Sequence, residues 1–349
     1  MLIVSEVQKI STAMVNKMSN KKNRVLIIDG SNMFRRNFEA NPAVSQTGPV
    51  GGLVGTMNSI QKVCNELDPD KVVMVWDGPG GSLRKRKIAP GYKQGRKPPR
   101  LNRFDRQQMT PEQHAESHLW QLGRLYEYID KMPIHQIMIE NVEADDVISY
   151  VAQMEDFEEW QKVIYSSDKD FYQLARGSLG DIDTLIYRPQ TGGRAELVHQ
   201  DMILEDSGIH PRNFAVARSI AGDKSDNLPG ASNVGLGKIA KRFPYLAEEK
   251  EHSLKEIFED CEKNLGKLKI YDSINDSKNL ILTNYGMMQL DAPNIPYQST
   301  KIIKDSIREM DMSFDKTSIE IMKRKDDIAT ARHENLYRYM KRFSVEGKK

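Results

Sequence analysis

The sequence predicts an α/β fold with a mostly parallel central sheet and flanking helices. Three observations carry that prediction. Short apolar runs alternate with longer helical periodicities four times between residues 24 and 165. The runs are continuous rather than alternating, as expected of strands covered on both faces. Each run also ends in an acidic residue or leads to one within a few positions.

The elements follow in order. Residues 1–22 read as a polar leader of weak order. Arg24-Val-Leu-Ile-Ile-Asp29 is the first strand, and Gly-Ser-Asn follows it. After Gly51–Gly52, Leu53, Met57 and Ile60 fall at helical spacing, and this helix ends near Asp68-Pro69. Lys71-Val-Val-Met-Val-Trp76 is the second strand, ending in Asp77. A basic segment comes next, broken by Pro90, Gly91, Gly95, Pro98 and Pro99, so it is not one regular helix. From Pro111 to Lys131 the chain returns to helix, with Leu119, Leu122, Leu125, Tyr126 and Ile129 as the expected apolar stripe. Ile137-Met-Ile139 is the third strand, and Glu143-Ala-Asp145-Asp146 opens another helix. Val163-Ile-Tyr165 is the fourth, running into Ser166-Ser-Asp168-Lys-Asp170. Beyond about residue 200 the strand signal fades and the chain reads mainly helical.

Composition narrows the class. The 349 residues carry a formal charge of +2, with 39% hydrophobic and 29% charged residues, which excludes wholesale disorder. No apolar run approaches the ~18 residues of a membrane span. Cys64 and Cys261 are the only cysteines, which excludes a disulfide framework and a four-cysteine zinc site. The N-terminus lacks a basic-then-apolar signal pattern, and a reducing, cytoplasmic location is expected. The charge is unevenly spread. Arg84 to Arg106 carries a net +9 in 23 residues, while Ile139 to Asp170 carries −8 in 32. Together the two blocks suggest a polyanion held near bound cations.

The acids refine this. In open α/β sheets ligands bind beyond the carboxyl ends of the strands. Asp29, Asp77 and the Asp168/Asp170 pair follow strands directly, and Glu143, Asp145 and Asp146 follow the third within a few residues. Singly, each acid has a plainer reading as a turn former, a helix N-cap or a complement to a helix N-terminus. Those readings do not explain why all of them fall at equivalent strand ends. An oxygen-only donor set favours Mg²⁺ or Mn²⁺, and two such ions ~4 Å apart form a clamp for phosphodiester hydrolysis. Downstream, Asp223 and Asp226 are three apart, as if on one face of a helical turn. In Asn233-Val-Gly235-Leu-Gly237-Lys238, glycines before a helix let backbone N–H groups approach a phosphate, although alone this pattern reads as a tight turn.

Six motifs in one order then carry a resemblance: Ile28-Asp29-Gly-Ser-Asn, Trp76-Asp77-Gly, Tyr92-Lys93-x-x-Arg96, Glu143-x-Asp145-Asp146, Ser167-Asp168-x-Asp170 and Gly222-Asp223-x-x-Asp226-Asn. The chain resembles the 5′-nuclease superfamily of flap endonucleases and 5′→3′ exonucleases, and within it the bacteriophage T4-type RNase H branch. The resemblance implies a PIN-like nuclease core over 23–200 with a basic arch at 82–110. It places a helix–three-turn–helix motif at about 211–245 in a helical DNA-binding region spanning 201–349. It implies Asp29, Asp77 and Asp145 at a first Mg²⁺, with Glu143 and Asp146 close or bound through water. Asp168, Asp170 and Asp223 would line a second, supported by Asp226. Mn²⁺ would substitute, and a monovalent cation is expected at the helix–three-turn–helix turn. Tyr92 would stack on a base, while Lys93 and Arg96 neutralise the scissile phosphate. Arg84, Arg86, Lys97, Gly235, Gly237 and Lys238 would hold the nucleic-acid backbone. The implied partners are DNA with a 5′ flap or 5′ end, RNA/DNA hybrids, and replication proteins such as a single-strand-binding protein or sliding clamp, met by a monomer.

Asn233 departs from the family's turn, where Gly-hydrophobic-Gly is followed by Lys. Aligned from Asp226, Asn233 takes the first glycine's place; aligned on Gly235 and Gly237, one residue is missing before Lys238. Both registers stay open, and Asn tolerates the left-handed conformation better than most residues. Two rivals compete with the nuclease reading. A phosphatase of the haloacid-dehalogenase type needs an Asp where Ser31 stands. A catalytically silent DNA-binding protein of the same fold would lack part of the acid set, yet every expected acid is present.

Overall fold

A six-stranded sheet positions everything else. The computed structural model describes residues 23–46, 48–101, 109–177 and 183–346. The expected leader and the later part of the basic segment, 102–108, lie outside the described residues. The strands are β1 (Arg24–Asp29), β2 (Lys71–Trp76), β3 (His135–Met138), β4 (Gln161–Tyr165), β5 (Thr184–Pro189) and β6 (Ala195–Val198), in the order β3-β2-β1-β4-β5-β6. All neighbours pair in parallel except β6, which runs antiparallel to β5. At the centre Ile27 is in register with Val73 on one side and Ile164 on the other.

The continuous apolar runs have their cause in this arrangement. Val25, Leu26, Ile27 and Ile28 have no exposed surface, because both faces of β1 are covered. Each such side chain contributes about 1.5–3 kcal/mol by leaving water. Val25, Ile27, Val73 and Ile164 face a core shared with α5 (Ala144–Ala152) and α7 (Phe214–Ala221). Leu26, Ile28, Met74 and Val163 face the opposite core, built with α1 (Gly30–Ala40), α2 (Gly51–Leu67) and α4 (Pro111–Ile129).

Three expectations are corrected. The β5–β6 hairpin at one sheet edge goes beyond the four strands read from the sequence. In α4, Leu119 is 68% exposed, whereas Gln121 is fully buried. Its side-chain carbonyl accepts the Gly52 and Leu53 N–H groups, satisfying free donors at the start of α2. Third, Asp223 and Asp226 do not share a helical turn. Gly222–Asp223 pairs antiparallel with Leu228–Pro229; Asp223 ends the first of these strands and Asp226 lies within the intervening turn. Gly222 has φ 74°, and a Cβ there would lie 2.4 Å from the Gly230 nitrogen, so only glycine fits.

The rest is helical, as the fading strand signal suggested. α3 (Leu83–Ile88) precedes α4; α6 (Gln200–Ser207) precedes α7. Then come α8 (Leu236–Arg242), α9 (Leu254–Lys263), α10 (Lys269–Asp276), α11 (Lys278–Met288), α12 (Tyr297–Arg308), α13 (Lys316–Lys325) and α14 (Glu334–Glu346). Ile239, Ile257, Ile274 and Ile281 continue the first core, so this helical region packs on the sheet's own apolar layer. α14 returns to the other face, where Leu336 and Met340 join the α1–α2 core. Among the described residues no helix is long and apolar enough to cross a membrane.

Candidate active site

Asp29 ends β1 and caps α1: its Oδ1 accepts the Asn32 N–H at 2.9 Å, and its Oδ2 accepts the Ser166 hydroxyl at 2.9 Å. Asp77 follows β2 and accepts the Ala144 N–H at 3.0 Å, which joins the end of β2 to the start of α5. Gly78 makes that approach possible, since a Cβ there would lie 1.7 Å from the Ile139 carbonyl oxygen. Asp168 follows β4 and caps the next turn, accepting the Asp170 N–H at 2.9 Å. Glu143, Asp145 and Asp146 begin α5.

These acids repel one another. Burial, then the neighbouring Asp77, pushes the Asp29 carboxyl up to about 7. Burial, then Asp168, raises Asp170 to about 7, although Arg218 works against the shift. Burial and then Asp145 raise Asp146 to about 6. Glu143 goes the other way. Burial would raise it, but the ammonium groups of Lys85 and Lys93 hold it down at about 2.

The cations come mostly from the basic segment. Lys85, on α3, lies 2.7 Å from Glu143 Oε2 and donates to Asp145 Oδ2 at 3.0 Å. Lys93 pairs with Glu143 Oε1, and Arg96 pairs with Asp226. From α7, Arg218 bridges Asp170 Oδ1 at 3.0 Å and Asp223 Oδ2. The sequence reading missed Arg218, and its signal was a basic residue one helical turn before Gly222-Asp223. Among the described residues no three His, Cys, Asp or Glu side chains converge into a ready-made metal cage.

Tyr92 is placed differently from expectation. Its ring is 3% exposed, and its hydroxyl donates to Glu143 Oε2 at 3.0 Å. A ring so enclosed is not presented to a stacking base. The base of the basic segment is tied down at several points. The Ser82 hydroxyl donates to Glu143 Oε1 at 2.9 Å, the Lys93 N–H donates to the Asp226 carbonyl at 2.8 Å, and Asn227 donates to the Gly91 carbonyl at 2.8 Å. Acidic partners cancel the like-charge repulsion. Lys93 itself sits at φ 56°, a left-handed conformation costly for a residue with a Cβ and held by these contacts.

Arg84, Arg86 and Lys97 are exposed. Gly235 is the N-cap of α8, Gly237 lies in its first turn, and Lys238 Nζ donates to the Asn233 carbonyl at 2.7 Å. Asn233 has φ 57°, the left-handed conformation that a glycine at this turn would take.

Comparison with known proteins matches residues 24–206 to the 5′-3′ exonuclease family model of the N-terminal resolvase-like domain. The chain is 31% identical over 216 residues to the thermostable DNA polymerase I of Thermus aquaticus, a match covering 61% of this chain and 23% of the polymerase. It therefore spans about a quarter of that relative's length. It is 31% identical over 228 residues to flap endonuclease Xni of a Shewanella species, covering 64% of this chain and 77% of Xni. Among solved structures, the zinc-bound T5 5′-exonuclease superposes with a TM-score of 0.61 at 19% identity, covering 82% of this chain and 99% of that one. With its motifs in family order and more than half of its length, residues 24–206, matching that domain, the chain belongs to the 5′→3′ exonuclease family of the 5′-nuclease superfamily.

Proposed function

We propose that this chain is a divalent-metal-dependent, structure-specific 5′ nuclease. Its substrates would be DNA with a 5′ end or 5′ flap, and RNA/DNA hybrids. The observation that carries this reading lies in the acids ending β1, β2 and β4. Asp29 is near enough to Asp77 and Asp168, and Asp168 to Asp145, Asp223 and Asp226, for their charges to repel, with Lys93 held beside them on Glu143 and Arg96 on Asp226. The family name of Xni and the zinc held by the T5 exonuclease support it.

The donor chemistry fits hard divalent ions. Nine carboxylates (Asp29, Asp77, Glu143, Asp145, Asp146, Asp168, Asp170, Asp223 and Asp226) face four ion-paired basic side chains, Lys85, Lys93, Arg96 and Arg218. With all nine ionised, the excess of five negative charges would be largely offset by two Mg²⁺ or Mn²⁺. No ion pair with a basic side chain involves Asp29, Asp77 or Asp168 among the described residues. These three and Asp145 would hold the ions, with Asp170 and Asp223 alongside. Such ions supply water activation and neutralise charge on the leaving oxygen.

The chain's own groups do the rest. Lys93 and Arg96 would shift from their carboxylates to the scissile phosphate, offsetting charge where it develops. Exposed Arg84, Arg86 and Lys97 would grip the backbone ahead of the site. The turn at Asn233–Lys238 would hold the duplex phosphates farther along. Glu143 and Asp226 anchor the basic segment, a positioning role supported by the donors Glu143 accepts from Ser82, Tyr92 and Lys93 and by the bonds of Asp226 to Arg96 and the Lys93 N–H.

The test is cleavage of a labelled 5′-flap duplex with Mg²⁺ and with chelator. Metal-dependent cleavage leaving 5′-phosphate products is expected. Binding without cleavage in both Mg²⁺ and Mn²⁺ would overturn the proposal in favour of a silent DNA-binding protein.

A further inference from the structure

Lys85 is the one basic residue of its helix turned inward. Its side chain is 7% exposed, while Arg84, Arg86 and Lys87 on the same short helix face solvent. The ammonium lies 2.7 Å from Glu143, 3.0 Å from Asp145 and 3.9 Å from Asp146, and 5.8 Å from the Tyr92 ring centroid. Three carboxylates thus converge on a single positive point. Glu143 also accepts from Ser82, Tyr92 and Lys93, so it keeps a cationic partner and two hydroxyl donors if Lys85 moves away. Asp145 is different. Its Oδ1 accepts the Asp146 N–H, and its Oδ2 is engaged by Lys85.

We propose that the Lys85 ammonium is an internal counter-cation, which a divalent ion entering at Asp145 must displace. This inference rests on the metal-dependent reading above. An ammonium and a divalent ion held at contact distance from the same Asp145 oxygen repel each other strongly in a half-buried pocket. Lys85 therefore keeps the acidic corner intact without metal and lowers the affinity of the site for it. Because Lys85 lies on α3, seven residues before Tyr92, its displacement would also loosen one of the ties that pin the base of the basic segment. Metal loading and the setting of that segment would then be linked.

The test needs no DNA. Mn²⁺ binding to the full chain is measured by calorimetry for wild type, Lys85→Met and Lys87→Met, the last removing an exposed charge from the same helix. In parallel, wild-type lysines are labelled with a succinimidyl ester with and without saturating Mn²⁺, and mapped by mass spectrometry. The expected results are Mn²⁺ affinity at least about tenfold tighter in Lys85→Met, little change in Lys87→Met, and Lys85 labelling several-fold faster with Mn²⁺. The labelling arm reads wild type, so it decides the matter even if Lys85→Met does not fold. Unchanged labelling of Lys85, or unchanged or weaker affinity in a folded Lys85→Met, overturns the inference and leaves the nuclease reading standing. Absence of Mn²⁺ binding to wild type overturns both.

Discussion

Replacing Asp29 with Asn is expected to stabilise the metal-free protein at alkaline pH while removing a group the proposed chemistry needs. Burial and the adjacent Asp77 raise the Asp29 carboxyl from 3.8 to about 7. At ~1.4 kcal/mol per unit, a shift of that size corresponds to a penalty on the ionised form on the order of 2–4 kcal/mol. The sign follows from the raised value. Below 3.8 the carboxyl is neutral in both states and no penalty exists; the penalty grows as pH rises and is complete above about 7. Asn keeps an oxygen for the Asn32 N–H, so the cap of α1 survives. Denaturant unfolding in chelator from pH 4 to 8.5 should show Asp29→Asn about 2 kcal/mol more stable than wild type near pH 8, shrinking toward zero near pH 4. Added Mg²⁺ should reverse the order, because binding stabilises only a site that can hold it. A less stable Asn variant at pH 8, or a difference that does not vary with pH, would refute the reasoning.

Neutralising Arg84 and Arg86 together should weaken duplex binding and flatten the slope of log K against log salt by roughly 2, with the single-turnover rate at saturating DNA unchanged. Lys93→Ala should do the reverse, lowering that rate about a hundredfold with only a small loss of affinity, as rapid-quench kinetics and anisotropy would show. Gly78→Ala should lower stability by about 3 kcal/mol in thermal or denaturant melts, because the backbone at Ile139 cannot yield to the new methyl.

The parallel sheet was legible because burial on both faces leaves a plain mark, an unbroken apolar run such as Val25–Ile28. The acids were legible because strand ends converge on one edge whatever the loops do. The β5–β6 hairpin was less so, since Ala195–Val198 is short and half-exposed and imitates a loop. Gln121 was misplaced because a polar residue entered the core to satisfy helix donors from a distant segment, a need that periodicity does not encode. Tyr92 was misread, and Lys85 was missed, for a related reason. A basic run suggests solvation, and only the fold shows which members turn inward to meet Glu143. Arg218 was missed because its partners, Asp170 and Asp223, come from separate parts of the chain.

The central claim is that the strand-end carboxylates perform metal-dependent phosphodiester hydrolysis, and Asp168 tests it most directly. It follows β4, carries no ion pair to a basic side chain among the described residues, and feels the charges of both Asp145 and Asp223. The measurement is single-turnover cleavage of a 5′-labelled flap duplex in Mg²⁺ by wild type and Asp168→Asn, with binding of the same duplex followed in Ca²⁺. The account predicts at least about a hundredfold loss of rate with duplex affinity nearly unchanged. Wild-type turnover by Asp168→Asn would contradict it.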